Sequence, residues 1–375
     1  MIVKKIKFAF SVGEESGDFL GSRLIKNLKM KYPDASFIGL AGDLMKKEGM
    51  ESFFPMEELS VMGLIDPLIN LRRLLKRRKQ LIDFILQEKP DIFIGIDSPS
   101  FNSGIAKRIK SKTSIKTIQY VCPQFWAWRR GRVKRFNNYL DHIFCIFPFE
   151  KNLLRKEGMS SNFIGHPLAD IFEIDLDKKK YKEKLGFSKE KTYIALLPGS
   201  RKSEINNHLE ILINLAKSYS LTNPSYHFVL SLTKDNSLSK DKYLKEQNIT
   251  LVKGNAREVL KACDYGVISS GTATLEAMLS KTPFCVIYKS NSISNFIISN
   301  ILLNLDYISL PNILAGNKIV SELRQSNVEV TKIAFELNNL IDGSNKEILK
   351  EFTNLHYSLI NKDENKFSKI IDNLI

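Results

Sequence analysis

Short β-rich runs, several of them apolar without polar alternation, alternate with longer stretches of helical periodicity along this chain. In the first half the runs fall at residues 7–12, 36–40, 92–96, 117–121 and 143–147, with helical stretches such as 19–30 and 68–87 between them. A strand that is apolar on both faces must be covered on both, so these runs predict a parallel sheet flanked by helices. A charged passage, 173–184, reads as the start of a linker and a surface helix. The rhythm restarts with runs at 193–197, 227–232, 250–252, 265–268 and 284–288. The pattern predicts two Rossmann-like, doubly wound α/β domains in tandem, with a cleft between them and ligands at the carboxyl ends of the strands.

A length of 375 residues suits two domains of ordinary size, and 43% hydrophobic with 26% charged residues excludes wholesale disorder. The 56 Lys+Arg outnumber 41 Asp+Glu, giving +15 and favouring an anionic partner: nucleic acid, a phosphorylated substrate or an acidic leaflet. Cys122, Cys145, Cys263 and Cys285 form no CxxC pair and read as free buried thiols in a reducing compartment. The apolar run behind Lys4, Lys5 and Lys7 is too short for a secretory signal, and no run is long enough to span a bilayer. The expectation is a cytoplasmic protein that can touch a membrane.

Several strand ends carry polar residues suited to chemistry. Gly13-Glu14-Glu15-Ser16-Gly17-Asp18 closes the first run and opens a helix. Its glycines allow a tight turn and its helix start offers unpaired amides, which makes Glu14, Ser16 and Gly17 candidate ligand contacts. It is neither a GxGxxG fingerprint nor a P-loop, and a purely structural turn is the alternative. Asp97, in Gly95-Ile96-Asp97-Ser98-Pro99-Ser100-Phe101, ends a buried strand; it is either a general base or a cap for the next helix. In Leu196-Leu197-Pro198-Gly199-Ser200-Arg201, Gly199 frees the turn, Ser200 and backbone amides can donate to phosphate oxygens, and Arg201 adds a planar cation. Ser269-Ser270-Gly271-Thr272-Ala273-Thr274-Leu275-Glu276 forms a second anion-binding nest from Ser270, Gly271 and Thr272. Glu276 then falls where a carboxylate accepts from two ribose hydroxyls. Residues 306–316 read as a short strand and a Pro-Asn turn, which Asn312 stabilises.

Two basic clusters bear on the partner. Leu64, Leu68, Leu71 and Leu75 recur at helical spacing beside Arg72, Arg73 and four further cations up to Lys79. That is either an interfacial helix drawn to anionic lipid or an ordinary helix with its stripe in the core. Trp128 and Arg129, in Trp126-Ala127-Trp128-Arg129-Arg130-Gly131-Arg132, mix aromatics with cations. No RNA-binding domain pattern surrounds them, so no nucleic-acid partner is expected. Asp175-Leu176-Asp177 has the DxD form of a metal site but lies in the linker, and His166 has no second ligand at metal spacing. No metal site is expected.

Taken in order, SVGEESGD, VMGLIDPL with LRRLL, GIDSPSF, YVCPQFWAWR, FIGHPLAD, LLPGSR, SGTATLEAML and DYISLPNILAG resemble the lipid-A-disaccharide synthase family, from residue 11 to about 316. The resemblance implies a GT-B type fold: an acceptor and membrane-facing domain at 1–168, a UDP-sugar domain at 169–335, and helices at 336–375 packing back on the first. It implies transfer of 2,3-diacylglucosamine from its UDP conjugate to the 6-hydroxyl of 2,3-diacylglucosamine 1-phosphate (lipid X). The products are a β-1,6 disaccharide and UDP; no metal or cofactor takes part. It further implies peripheral association with the inner membrane of a Gram-negative bacterium, and dimers that exchange C-terminal segments. By motif, the base falls on Asp97, and residues essential in the family fall on Arg201 and Asn312, which replaces the turn-only reading of Asn312. Glu276 resembles the ribose ligand, with Ser200, Gly271 and Thr272 on the phosphate path. Ser100 stands where a second Asp is common, and Lys202 where a small residue is common. The rivals are a soluble UDP-sugar enzyme such as an epimerase, and a non-catalytic RNA- or lipid-binding protein.

Overall fold

A computed structural model describes residues 5–60, 67–123, 133–223, 225–233, 248–290 and 306–375. The chain forms two compact units, Met1–Pro167 with Asn361–Ile375, and Leu168–Ile360. The first unit contributes β1 (Lys7–Val12), β2 (Ser36–Leu40), β3 (Glu51–Ser52), β4 (Ile92–Ile96), β5 (Lys116–Tyr120), β6 (His142–Cys145) and β7 (Ser161–Phe163). They pair in parallel in the order β3-β2-β1-β4-β5-β6-β7. The second contributes β8 (Thr192–Leu197), β9 (Tyr226–Leu232), β10 (Ile249–Lys253), β11 (Tyr265–Ser269), β12 (Phe284–Tyr288) and β13 (Glu322–Arg324). Their order is β10-β9-β8-β11-β12-β13, again parallel. Strand order therefore reverses between β1 and β4 in one sheet and between β8 and β11 in the other. Ligands of doubly wound sheets bind outside the carboxyl ends at such points.

The apolar runs account for these sheets. Ile92, Phe93, Ile94 and Ile96 send alternate side chains to opposite faces of β4, and all are buried. Each such side chain contributes about 1.5–3 kcal/mol relative to exposure. Helix Glu15–Lys31 lies close on this sheet because Gly17 has no side chain: a Cβ there would stand 2.9 Å from Val12 Cγ1. β3, β7 and β13 left no trace in the apolar pattern, since two or three residues are too few to show one.

Two expectations are corrected. Residues 306–309 form no strand; Ser309 instead starts a helix, Leu310–Ala315, with Pro311 in its first turn and Gly316 at φ 72° ending it. The C-terminal helices also part company. Helix Val330–Asp342 buries Ile333 and Leu337 in the second unit's core, and helix Lys346–Ser358 sets Phe352 against Phe284. Only 361–375 belongs to the first unit, where Phe367 meets Phe144 edge-on at 5.3 Å and Asn27 donates to the Glu364 carbonyl. Division follows where each helix finds an apolar face to cover.

Candidate active site

In the first unit the carboxyl end of β4 turns sharply. Asp97 and Ser98 both take left-handed conformations, at φ 52° and 37°, and neighbouring Val121 does the same at φ 73°. Such backbone costs of order 1–3 kcal/mol per residue and persists only where its surroundings fix it. Here Asn102 Nδ2 donates to the Asp97 carbonyl at 2.8 Å, Gln119 Nε2 to the same oxygen at 3.0 Å, and the Asp97 amide to Tyr120 at 3.0 Å. Gly95 makes room for this brace, because a Cβ there would stand 2.8 Å from Asn102 Cβ. Neither Asn102 nor Gln119 was singled out in the sequence; each braces Asp97 from a neighbouring element and belongs to no motif.

The capping alternative for Asp97 fails on geometry. Helix Pro99–Lys110 has Ser98 as its cap, without a side-chain bond. The Asp97 carboxylate instead accepts from the Ser98 amide at 2.9 Å and from Ser16 Oγ at 3.4 Å. It lines a pocket of about 610 Å³ with Ser100, Ser103, Lys107, Gln119 and Arg135. A carboxylate held by a hydroxyl and one amide, beside open space, can accept a substrate proton. Gly17 lets its helix pack closely on the sheet, and Glu14 is the exposed cap residue of that helix. Asp18 is structural: it is buried and accepts from the amides of Gly42, Leu44 and Met45.

In the second unit, a pocket of about 700 Å³ gathers the turns after β8 and β11: Gly199, Ser200, Arg201, Gly271, Thr272 and Glu276 line it. Gly271, at φ 148°, precedes helix Thr272–Leu279, and a Cβ added there would meet nothing within 4 Å. The first amides of a helix have no partner within it, and the macrodipole favours an anion there. Arg201 is 82% exposed as a side chain, its guanidinium 3.2 Å from Glu204 Oε1. Glu204 Oε2 also accepts from the Ser200 and Arg201 amides, at 3.0 and 3.2 Å. Those two amides, expected to face phosphate, are thus taken by a carboxylate of their own helix. Glu276 accepts from Arg257 Nε at 2.6 Å, and Arg257 lines the same pocket. Arg257 brings a second guanidinium that no motif signalled.

The family description "lipid-A-disaccharide synthetase" matches residues 8–373. The chain belongs to the lipid-A-disaccharide synthase family. It is 38% identical to the lipid-A-disaccharide synthase of Idiomarina loihiensis over 374 residues, 98% of each chain. Identity to that of Methylobacillus flagellatus is 36% over 367 residues, 96% of this chain and 97% of that one. It is therefore a glycosyltransferase of lipid A disaccharide formation. Among solved structures, the UDP-GlcNAc 2-epimerase of Neisseria meningitidis bound to UDP-GlcNAc matches with TM-score 0.62 at 14% identity, over 99% of both chains. The calicheamicin glycosyltransferase CalG4 matches with TM-score 0.61 at 10% identity, over 99% of this chain and 98% of that one. These likenesses concern the fold, two Rossmann-like α/β domains of the GT-B type.

The family resemblance marks Asn312 as essential, and in the structure its side chain is bonded within the protein. It is completely buried. Its Nδ2 donates to the Val320 carbonyl and to Glu322 Oε1, both at 2.9 Å, while its Oδ1 accepts from the Ile319 and Val320 amides at 2.7 and 2.9 Å. An amide so committed has no capacity left for substrate. Glu322 Oε1 also accepts from Ser309 N at 2.9 Å and Ser309 Oγ at 2.7 Å, and Arg324 Nη2 bonds Glu322 Oε2 at 2.6 Å. The loop so held offers the Ile308 carbonyl to Ser270 Oγ at 2.9 Å and the Leu310 amide to Thr274 Oγ1 at 3.2 Å. Asn312 therefore positions the Ser270-Gly271-Thr272 turn through its loop. His208, unremarked in the sequence, locks the other turn: its Nδ1 bonds the Pro198 carbonyl at 2.7 Å and its Nε2 accepts from the Lys289 amide at 2.9 Å. Burial holds its pKa below the usual imidazole value.

The membrane-facing expectations are only partly visible. Leu64, Trp128 and Arg129 lie outside the described residues, as do the side chains of Leu68 and Leu71. On helix Pro67–Glu88, Leu81 and Ile85 face the core, whereas Leu75 is 44% exposed. The core-stripe alternative thus fails at Leu75. Arg72 and Arg73 are exposed, Arg73 lying 3.7 Å from Glu58. Among the described residues no helix is long and apolar enough to cross a membrane. Asp177 of the DxD triplet caps helix Lys178–Lys184 through the Lys179 amide. His166 is buried against Phe147, its pKa lowered by burial to about 4.

Proposed function

We propose that this enzyme transfers a 2,3-diacylglucosaminyl group from UDP to the 6-hydroxyl of 2,3-diacylglucosamine 1-phosphate, with inversion, forming a β-1,6 disaccharide and UDP. The observation that carries the reading is the placement of two unlike chemistries at the two switch points. A braced carboxylate stands at β4, and a glycine nest with guanidinium groups stands at β8 and β11.

Asp97 removes the acceptor hydroxyl's proton as that oxygen attacks the anomeric carbon. The bond to the UDP oxygen breaks, and the negative charge arriving there is met by Arg201 and the first amides of helix Thr272–Leu279. Glu276, turned toward Arg257 through one oxygen, keeps its other oxygen for the ribose hydroxyls. Ser200 and Ser270 belong to the same cradle, and Gly199 makes its turn possible. The exposed Leu75 with Arg72 and Arg73 rests on an anionic leaflet, where the substrates' acyl chains remain.

Purified protein given both acylated substrates should yield disaccharide phosphate and UDP in equal amounts. Unacylated UDP-GlcNAc consumed at a comparable rate, without disaccharide, would favour a soluble UDP-sugar enzyme and reject this reading.

A further inference from the structure

We propose that Lys107 and Arg135 form the seat of the acceptor's phosphomonoester, inside the pocket onto which Asp97 opens. The inference rests on the transfer reading above and adds the part of the acceptor site that reading leaves unassigned. The pocket lies wholly in the first unit and is mixed in character: Asp97, Lys107 and Arg135 share it with the apolar side chains of Val121, Phe136 and Leu140. Among the described residues that line it, Asp97 is the one carboxylate.

Helix geometry orders these groups. Ser100, Ser103 and Lys107 are spaced three and four apart on helix Pro99–Lys110, so they share the face that starts at the Asp97 turn. Lys107 Cα lies roughly 10 Å along the axis from Ser100, and side chains lean back toward the helix N-terminus. The ammonium is held over the Tyr139 ring, 4.9 Å from its centroid. Arg135 projects from helix Val133–Phe136, which Val133 and Phe136 anchor in the core. The anchoring leaves Arg135 itself exposed at the pocket wall.

The chemistry of the ligand follows. A phosphomonoester carries about −1.5 to −2 charge near neutrality, more than one cation neutralises, and a guanidinium can hold two of its oxygens at once. In a glucosamine 1-phosphate the 6-hydroxyl and the phosphate branch from the two carbons that flank the ring oxygen, close enough to share one pocket. A single pocket holding a proton acceptor and a pair of cations matches that arrangement. The donor's diphosphate has its own cradle in the second unit. A phosphodiester headgroup of the leaflet has the same anionic oxygens, so the test must separate the two sources.

The experiment uses the full-length enzyme in neutral detergent micelles, which contain no anionic headgroups. Acceptors are diacylglucosamine 1-phosphate and the same molecule without phosphate. In Lys107→Ala/Arg135→Ala, KM for the phosphorylated acceptor should rise about tenfold or more, and the preference in kcat/KM over the dephosphorylated acceptor should collapse by the same factor. KM for the UDP donor and the unfolding midpoint should not move. In the Arg135→Ala background, Lys107→Arg should keep part of the preference that Lys107→Ala loses. If the double variant slows both acceptors equally, or keeps the preference, the seat lies elsewhere. An effect seen only when anionic vesicles are added would assign these cations to the membrane and overturn the proposal. A wild-type enzyme that joins neither acceptor would instead reject the transfer reading, and this inference with it.

Discussion

Replacing Asn312 by Ala separates a positioning role from direct contact with substrate. The change removes donors to the Val320 carbonyl and Glu322 Oε1, and leaves the Ile319 and Val320 amides without their acceptor. Glu322 keeps its bonds from Ser309 and Arg324, so the carboxylate is not stranded. The Val320 amide is buried, whereas Ile319 is only half-buried and can reach water. One fully orphaned amide, with smaller losses around it, costs about 3 kcal/mol. For a unit of this size that lowers the melting temperature by about 6–12 °C. Calorimetric unfolding measures it directly, and UDP affinity should weaken in parallel because the Ser270-Gly271-Thr272 turn loses its support. Asn312→Asp should melt at least as low near neutral pH, since it sets a second carboxylate against Glu322, and should recover on acidification. An Asn312→Ala protein that melts like wild type yet has lost turnover would refute this reasoning and return Asn312 to direct contact with the reactants.

Other outcomes follow from the same geometry. His142 and His166 have pKa values lowered from 6.5 to about 4, in each case chiefly by burial, with the Arg155 charge adding to the effect at His142. The unfolded chain binds their protons first, so their contribution to stability should be constant above about pH 7 and fall between about 6.5 and 4; a midpoint indifferent to that acid interval would contradict the burial. Gly271→Ala should cost about 1–3 kcal/mol through backbone strain alone and raise KM for the UDP donor, because φ 148° suits glycine and no atom crowds the site. Neutralising Arg72, Arg73 and Lys76 to Gln should weaken binding to anionic vesicles by about 3 kcal/mol, on the order of a hundredfold. Undiminished vesicle binding by that variant would remove helix Pro67–Glu88 from the membrane contact.

The fold was legible because strands such as β4, β8 and β12 are apolar on both faces, a signal that survives without any partner information. Its short edges were not, since β3, β7 and β13 draw their order from neighbouring strands rather than from a pattern of their own. The strand-end motifs located Asp97, Arg201, Gly271 and Glu276 at the two switch points, yet motif reading failed where a residue works through distant partners. Asn102 and Gln119 brace Asp97 by hydrogen bonds that no spacing rule encodes. Asn312, read from the sequence as part of a Pro-Asn turn, lies on helix Leu310–Ala315, and Glu322 pairs with it only once β13 is laid beside β12. Gly17, read as a possible ligand turn, also packs its helix against Val12 of β1, which no spacing rule encodes. Glu204 is a further example, its carboxylate reaching back over one helical turn to the amides that the motif offered to phosphate.

Titration calorimetry with UDP, run beside single-turnover assays on Asp97→Asn and Arg201→Ala, tests the assignment of the two units most directly. Asp97→Asn should bind UDP as wild type does and lose turnover by about 10²–10⁴-fold. Arg201→Ala should bind UDP more weakly as well as turn over more slowly. An Asp97→Asn enzyme that retains near-full turnover, or one whose UDP affinity falls together with its activity, would contradict the account.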